Sequence, residues 1–145
     1  MSRSISIDVK LASDQKISAC SIIETLIKLG WNPIIDGSIN YLPINDNDMY
    51  NWTKEQMSVN QLLEISEIKE RNKEVIGVDM YWDDSSIGIC LLIFDSGNIS
   101  FDLSINRKYI DESIQLIDFN WYASKILPGL YNEYNVTYYK LEFFY

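Results

Sequence analysis

The stretch "MYWDDSS", residues 80–86, sets Tyr81 and Trp82 directly before Asp83 and Asp84. Two adjacent carboxylates beside two aromatic rings suit three chemistries: acid–base hydrolysis, cation ligation, or charge pairing with a basic partner. The rest of the chain narrows the choice. It has no histidine, which closes the Ser-His-Asp and Cys-His relays and histidine-bound zinc. Cys20 in "ISACSII" and Cys90 in "GICLLI" stand in apolar contexts, where a thiol is a small buried hydrophobe with a raised pKa. Both are expected to be free in a reducing compartment. The glycines, at 30, 37, 77, 88, 97 and 129, form neither a phosphate-binding loop nor a dinucleotide fingerprint.

Carboxylate chemistry is what remains. Strand neighbours point to opposite faces, so Asp83 and Asp84 make a poor glycosidase pair, which must flank one bond at roughly 5 to 9.5 Å. "NDND" at 45–48 begins like a calcium loop but lacks the glycine at the sixth position and the closing glutamate. No metal and no cofactor is expected. The ordinary explanation of Asp83, Asp84 and Asp95 is that aspartate caps and solvates turns. That explanation does not reach Asp79 and Asp102, which fall on the polar positions of strand patterns, where aspartate is a poor former.

Charge points to the kind of partner. With 12 basic and 21 acidic residues the chain carries a net charge of −9, which repels phosphate backbones and disfavours nucleic acid and anionic membranes. The acidity is local. Between Lys73 and Arg107 there is no Lys or Arg, while Glu74, Asp79, Asp83, Asp84, Asp95 and Asp102 are all acidic. Residues 29–53 repeat the pattern with Asp36, Asp46 and Asp48, whereas 54–73 is nearly balanced. Tyr81, and Tyr50 and Trp52 in the polar "NDNDMYNW" loop, are the aromatics best placed as exposed anchors. Trp82, Trp121, Phe101 and Phe143 fall on apolar stripes and are expected in the core.

The elements that must position these residues follow from hydrophobic period. With 145 residues, 47% apolar and 23% charged, the chain is expected to fold as one domain over 1–145. No window approaches the roughly 18 apolar residues of a membrane span and the start lacks an apolar signal region, so a cytoplasmic protein is expected. "SISIDVKL" alternates as a strand. A helix is expected from Ser13 to Leu29, capped by Ser13 or Asp14 and stopped by Gly30. "WNPIID" and "SINYLPI" read as short extended segments about the turn Asp36-Gly37-Ser38. The second helix can begin at Thr53 with Gln56 or at Ser58 with Gln61, each a capping-box spacing. "VIGVDMYW", "IGICLLIF" and "ISFDLSI" form an antiparallel meander, its middle strand buried on both sides, with 79, 81, 100, 102 and 104 sharing the face away from the core. A third helix is expected from Asp111 to Pro128-Gly129, then a last strand in "VTYYKLEFFY". The order β-α-β-β-α-β-β-β-α-β argues an α+β domain: one antiparallel sheet of about six to seven strands with three helices packed on it.

The run "EIKERNKEVIGVDMYWDDSSIGICLLIFDSGNISFDLSINR", residues 67–107, resembles cytoplasmic immunity proteins of bacterial contact-dependent growth inhibition and related polymorphic toxin systems. The resemblance covers less than a third of the chain and lies in a charged helix end, the "IGVDMYW" strand, an acidic turn, and the "IGICLLI" and "ISFDLSI" strands. It implies a non-catalytic protein that binds one-to-one a toxin domain, often a nuclease and therefore basic, and blocks its active site. The expected contact residues are Asp79, Tyr81, Asp83, Asp84 and Asp102, then Asp46, Asp48, Tyr50 and Trp52. Two other classes stay open: a carboxylate-dependent hydrolase, and a small adaptor or chaperone covering a client protein.

Overall fold

The computed structural model describes residues 4–12 and 17–144. Strand β1 (Ser4–Leu11) carries the expected alternation, with Ile5, Ile7, Val9 and Leu11 all buried. Helix α1 (Ala19–Leu29) follows, then β2 (Trp31–Asn32), β3 (Ser38–Tyr41), β4 (Thr53–Gln56), α2 (Val59–Arg71) and the meander β5 (Ile76–Trp82), β6 (Gly88–Ile93) and β7 (Asn98–Ile105). A small hairpin of β8 (Tyr109–Asp111) and β9 (Leu116–Ile117) leads into α3 (Phe119–Glu133) and the last strand, β10 (Val136–Phe144).

The sheet runs β10-β1-β7-β6-β5-β3-β4, with β2 also paired to β5, and its pairings are antiparallel. The α+β class and the three helices are as expected. One side of the sheet, with Ile7, Val78, Leu91 and Phe101, forms a single apolar cluster with Ile23 and Leu26 of α1, Leu62 of α2, and Tyr122, Ile126 and Leu130 of α3. The helices in that cluster all lie on this side; the opposite side shows the alternate strand residues, among them Asp79, Cys90, Leu92 and Asp102.

Several boundaries differ from the sequence expectation, each for a local reason. Helix α1 begins at Ala19, capped by Ser18, whose hydroxyl accepts from Ser21 N at 3.1 Å; Ser13 and Asp14 lie outside the described residues. Its first amide, Ala19 N, donates to Glu70 Oε2 of α2 at 2.7 Å, a long-range cap that no local spacing reveals. Of the two capping boxes, Ser58 with Gln61 is the one formed, and Thr53 to Gln56 is strand β4. The third helix starts at Phe119, capped by Asp118, because residues 109–117 fold as the β8–β9 hairpin. Pro128 sits inside α3 and does not end it. It is exposed, while Leu127, Gly129 and Leu130 on either side are buried, so packing outweighs the backbone bond that proline gives up. Middle strand β6 is buried on its core face, but Cys90 and Leu92 on the other are half-buried. Phe143, expected in the core, is 36% exposed because β10 is the outermost strand of the sheet.

Candidate functional site

The side of the sheet away from the helices holds a cross-strand row of polar residues. Asp79 on β5 pairs with Cys90 on β6, Cys90 with Asp102 on β7, Asp102 with Ser6 on β1, and Ser6 with Glu142 on β10. Two strand spacings place Asp79 and Asp102 about 10 Å apart, with the Cys90 thiol between them. Burial raises the Asp79 carboxyl above its usual range, partly offset by the hydrogen bond from Asn40 Nδ2 at 2.7 Å. Burial also raises Asp102, which Arg107 opposes and Asp79 and Asp8 reinforce. The Cys90 thiol pKa is pushed up by burial and then by these two carboxylates, which disfavours the thiolate. Both cysteines are free.

Along β5 the same face reads Gly77, Asp79, Tyr81 and then the turn 83–86. At Gly77 a side chain would meet Leu42 Cδ1 at 2.7 Å and Trp52 Cη2 at 2.8 Å, so the absent Cβ is what lets Leu42 and the indole pack this close to the sheet. Trp52 is therefore half-buried packing and not the exposed anchor its polar loop suggests. Asp46 is the second correction. It is 7% exposed, and its two carboxylate oxygens accept from Tyr50 N at 2.8 Å and Asn51 N at 2.9 Å. Its charge is spent on closing the loop. Asp48 and Tyr50 on that loop are exposed, as expected.

The far end of β5 opens into a hollow of about 370 Å³ between two turns. The β2–β3 turn supplies Asn32, Ile34, Ile35 and Asp36; the β5–β6 turn supplies Asp83, Asp84, Ser85 and Ser86; Tyr81 forms the wall between them. Each turn is held by short-range chemistry. Ile35 and Ser38 exchange backbone hydrogen bonds at 2.9 and 3.0 Å around Asp36 (φ 51°) and Gly37 (φ 77°), the left-handed pair of a two-residue hairpin turn. In the other turn Asp83 is also left-handed (φ 45°), its N–H donates to Gly30 O at 2.7 Å, and Ser85 Oγ donates to Trp82 O at 2.6 Å. Aspartate tolerates this conformation better than most residues.

Beneath the turn Trp82 anchors the edge. Its ring stands edge-on to Trp31 and Trp121, with centroids 5.2 and 6.1 Å away, and Trp31 Nε1 donates to Lys125 O on α3 at 3.1 Å. The acidic turn is thus bolted to the aromatic core, which pre-pays the ordering cost of any contact it makes.

Of the sequence-predicted residues, Tyr81, Asp83 and Asp84 line one hollow, Asp79 lies two residues before Tyr81 on the same face of β5, and Asp102 lies two strands away on that face. Asp36, counted in the acidic window but not singled out, completes the hollow; its Asp-Gly turn was readable, its position opposite Asp83 and Asp84 was not. The window free of bases in sequence is not free of them in space. Lys125 Nζ sits 5.1 Å from the centroid of the Trp82 ring, and Arg107 acts on Asp102. The residues lining the hollow itself include no Lys or Arg. Among the described residues no three Cys, Asp or Glu side chains converge as a cation site, and no helix is long and apolar enough to cross a membrane. Comparison of the chain with protein-family models, curated proteins and solved structures finds no match.

Proposed function

We propose that this protein is a non-catalytic immunity protein of the cytoplasm that binds a basic toxin domain, in the first instance a nuclease, and covers its active site. One observation carries the reading: exposed Asp36, Asp83 and Asp84 stand on two rigid turns around a base-free hollow walled by Tyr81. A nuclease presents lysines and arginines to hold phosphates, and three exposed carboxylates on hydrogen-bonded turns offer it substitute anions. The net charge of −9 steers encounter with such a surface and repels the nucleic acid itself. Tyr81 supplies a half-buried aromatic that needs little further ordering to act as an anchor.

Asp79 and Asp102 take a second role in this reading. Half-buried, they extend the negative field behind the hollow and do not touch the partner first. Asp48 and Tyr50 are exposed on the loop whose Trp52 packs at Gly77, four residues or about 13 Å along β5 from Tyr81, and in this reading that loop forms the outer margin of the contact. The test is growth protection. The C-terminal domain of the protein encoded immediately upstream is expressed in bacteria with and without this chain. Protection by the wild-type chain, lost in Asp36→Lys/Asp83→Lys/Asp84→Lys at equal soluble abundance, is the expected result. Full protection by that triple variant would refute the hollow as the contact.

A further inference from the structure

The two edges of the sheet are built differently. At one, β4 (Thr53–Gln56) is four residues long and reads Thr-Lys-Glu-Gln, a short charged edge of the kind that resists further pairing. At the other, β10 (Val136–Phe144) is nine residues long, reads "VTYYKLEFF", and contains no proline. Its inner side pairs with β1 along its length, and among the described residues no strand pairs with its outer side. Tyr138, Tyr139, Leu141 and Phe144 are 44 to 58% exposed. Such a long apolar edge is a template for another strand.

We propose that the outer edge of β10 pairs antiparallel with β10 of a second copy of this chain, about a two-fold axis at Leu141, joining two sheets into one. The strand's own sequence argues for this occupant. With the axis at Leu141, Leu141 meets its twin, Lys140 faces Glu142 of the other copy, Tyr139 faces Phe143, and Tyr138 faces Phe144. Every charge then meets its opposite and every aromatic meets an aromatic. Moving the axis to Lys140 or to Glu142 sets like charges directly across from each other, which destabilises a strand pair.

The faces agree as well. Tyr139 and Leu141 lie on the helix side, opposite Val9 and Ile7 of β1, with Tyr131 of α3 edge-on to Tyr139 at 6.5 Å. Lys140 and Glu142 lie on the other side, already 2.6 Å apart within one chain. Two copies would set these four charges in an alternating square. Pairing of residues 138–144 adds about six to eight backbone hydrogen bonds. The acidic hollow lies at β5, four strands or about 19 Å across the sheet, so each copy keeps it free.

The test is sedimentation equilibrium of the full chain, alone and as charge variants. Wild type is expected to dimerise. Lys140→Glu and Glu142→Lys alone should each raise the dimer dissociation constant about tenfold or more, by opposing like charges twice across the axis. Both side chains are at the surface, and circular dichroism checks that the variants fold. An equimolar mixture of the two single variants should restore dimers, because each chain then offers the other's missing charge; so should the double variant. A monomeric wild type would overturn the proposal and leave the edge to a different chain. Single variants that dimerise as wild type does, or a mixture that stays monomeric, would also overturn it.

Discussion

Replacing Lys69 with methionine tests how the loop that presents Asp48 and Tyr50 is held. Lys69 lies in the last turn of α2, is 1% exposed, and donates from Nζ to Pro43 O at 2.6 Å. Its ammonium is 3.7 Å from Glu74 Oε1, the same oxygen that accepts from Asn45 N at 2.8 Å and Asp46 N at 3.3 Å. Asp46 in turn closes on Tyr50 N and Asn51 N. The loop thus hangs from one buried cation. At an effective dielectric constant of about 20, unit charges at that separation attract by about 4.5 kcal/mol gross. Burial lowers the Lys69 pKa, its largest influence, against Glu74 and Asp46 which raise it, so desolvation takes back much of that attraction. A hydrogen bond from a charged donor is worth about 1.5 to 3 kcal/mol net. Methionine keeps the apolar stem and drops both the charge and the donor.

Lys69→Met is therefore expected to lose about 2 kcal/mol, the charged bond's net value, because Glu74 is left without its counter-charge but retains some solvent access. For a chain of 145 residues that is a fall of roughly 7 °C in Tm. Urea unfolding gives the first number and thermal unfolding the second. Amide hydrogen exchange should show Tyr50 and Asn51 losing protection while the β5–β6–β7 meander keeps its own. A variant within about 0.5 kcal/mol of wild type, with unchanged exchange at those two amides, would refute the reasoning.

Two further perturbations probe the sheet face and the helix layer. Burial raises the Asp79 pKa, so the folded state binds this proton more readily than the unfolded chain. Its stabilising effect is complete below the unfolded value of about 3.9 and is lost as pH rises through the higher folded value. Asp79→Asn, which can still accept from Asn40, should be more stable than wild type at pH 7 and show a flatter stability profile above pH 4 by urea unfolding. A less stable variant at pH 7 would contradict this. At Gly129 in α3 an added Cβ would lie 2.4 Å from Leu29 Cδ1 and 2.8 Å from Leu29 Cγ. Gly129→Ala should therefore cost about 1 kcal/mol, overpacking exceeding the helix-propensity gain. Combined with Leu29→Ala it should be less damaging than the sum of the two; strict additivity would show that the helices do not meet there.

What the sequence revealed was local. The period of two in residues 4–11, 76–82 and 99–105, a capping-box spacing at Ser58–Gln61 and the Gly30 stop each depend on neighbours within a few residues, and each is seen in the structure. What it concealed was pairing across the chain. Nothing near β1 says that it lies between β7 and β10, and so nothing says that Ser6 and Glu142 join the row of Asp79 and Asp102. Asp46 reads as a surface acid until the Lys69 ammonium, contributed from α2, is found behind its loop. Trp52 reads as exposed until Gly77, in strand β5, leaves room for its ring. Pro128 reads as a terminator because propensity cannot count the burial of Leu127 and Leu130 in the core. The acidic hollow lay between these cases. Asp83 and Asp84 were readable as a turn, while Asp36 joins them only because β2 and β5 pair Trp31 with Trp82.

The most direct test of the proposed recognition is stopped-flow association, at rising salt, of the full chain with the toxin domain that the growth-protection experiment identifies. Wild type is compared with Asp36→Asn/Asp83→Asn/Asp84→Asn. A hollow that meets a cationic surface predicts fast association for wild type that falls steeply with ionic strength. The triple variant should start about tenfold or more slower at low salt, with a shallower dependence. Equal rates and equal salt slopes for the two proteins would contradict recognition through this hollow.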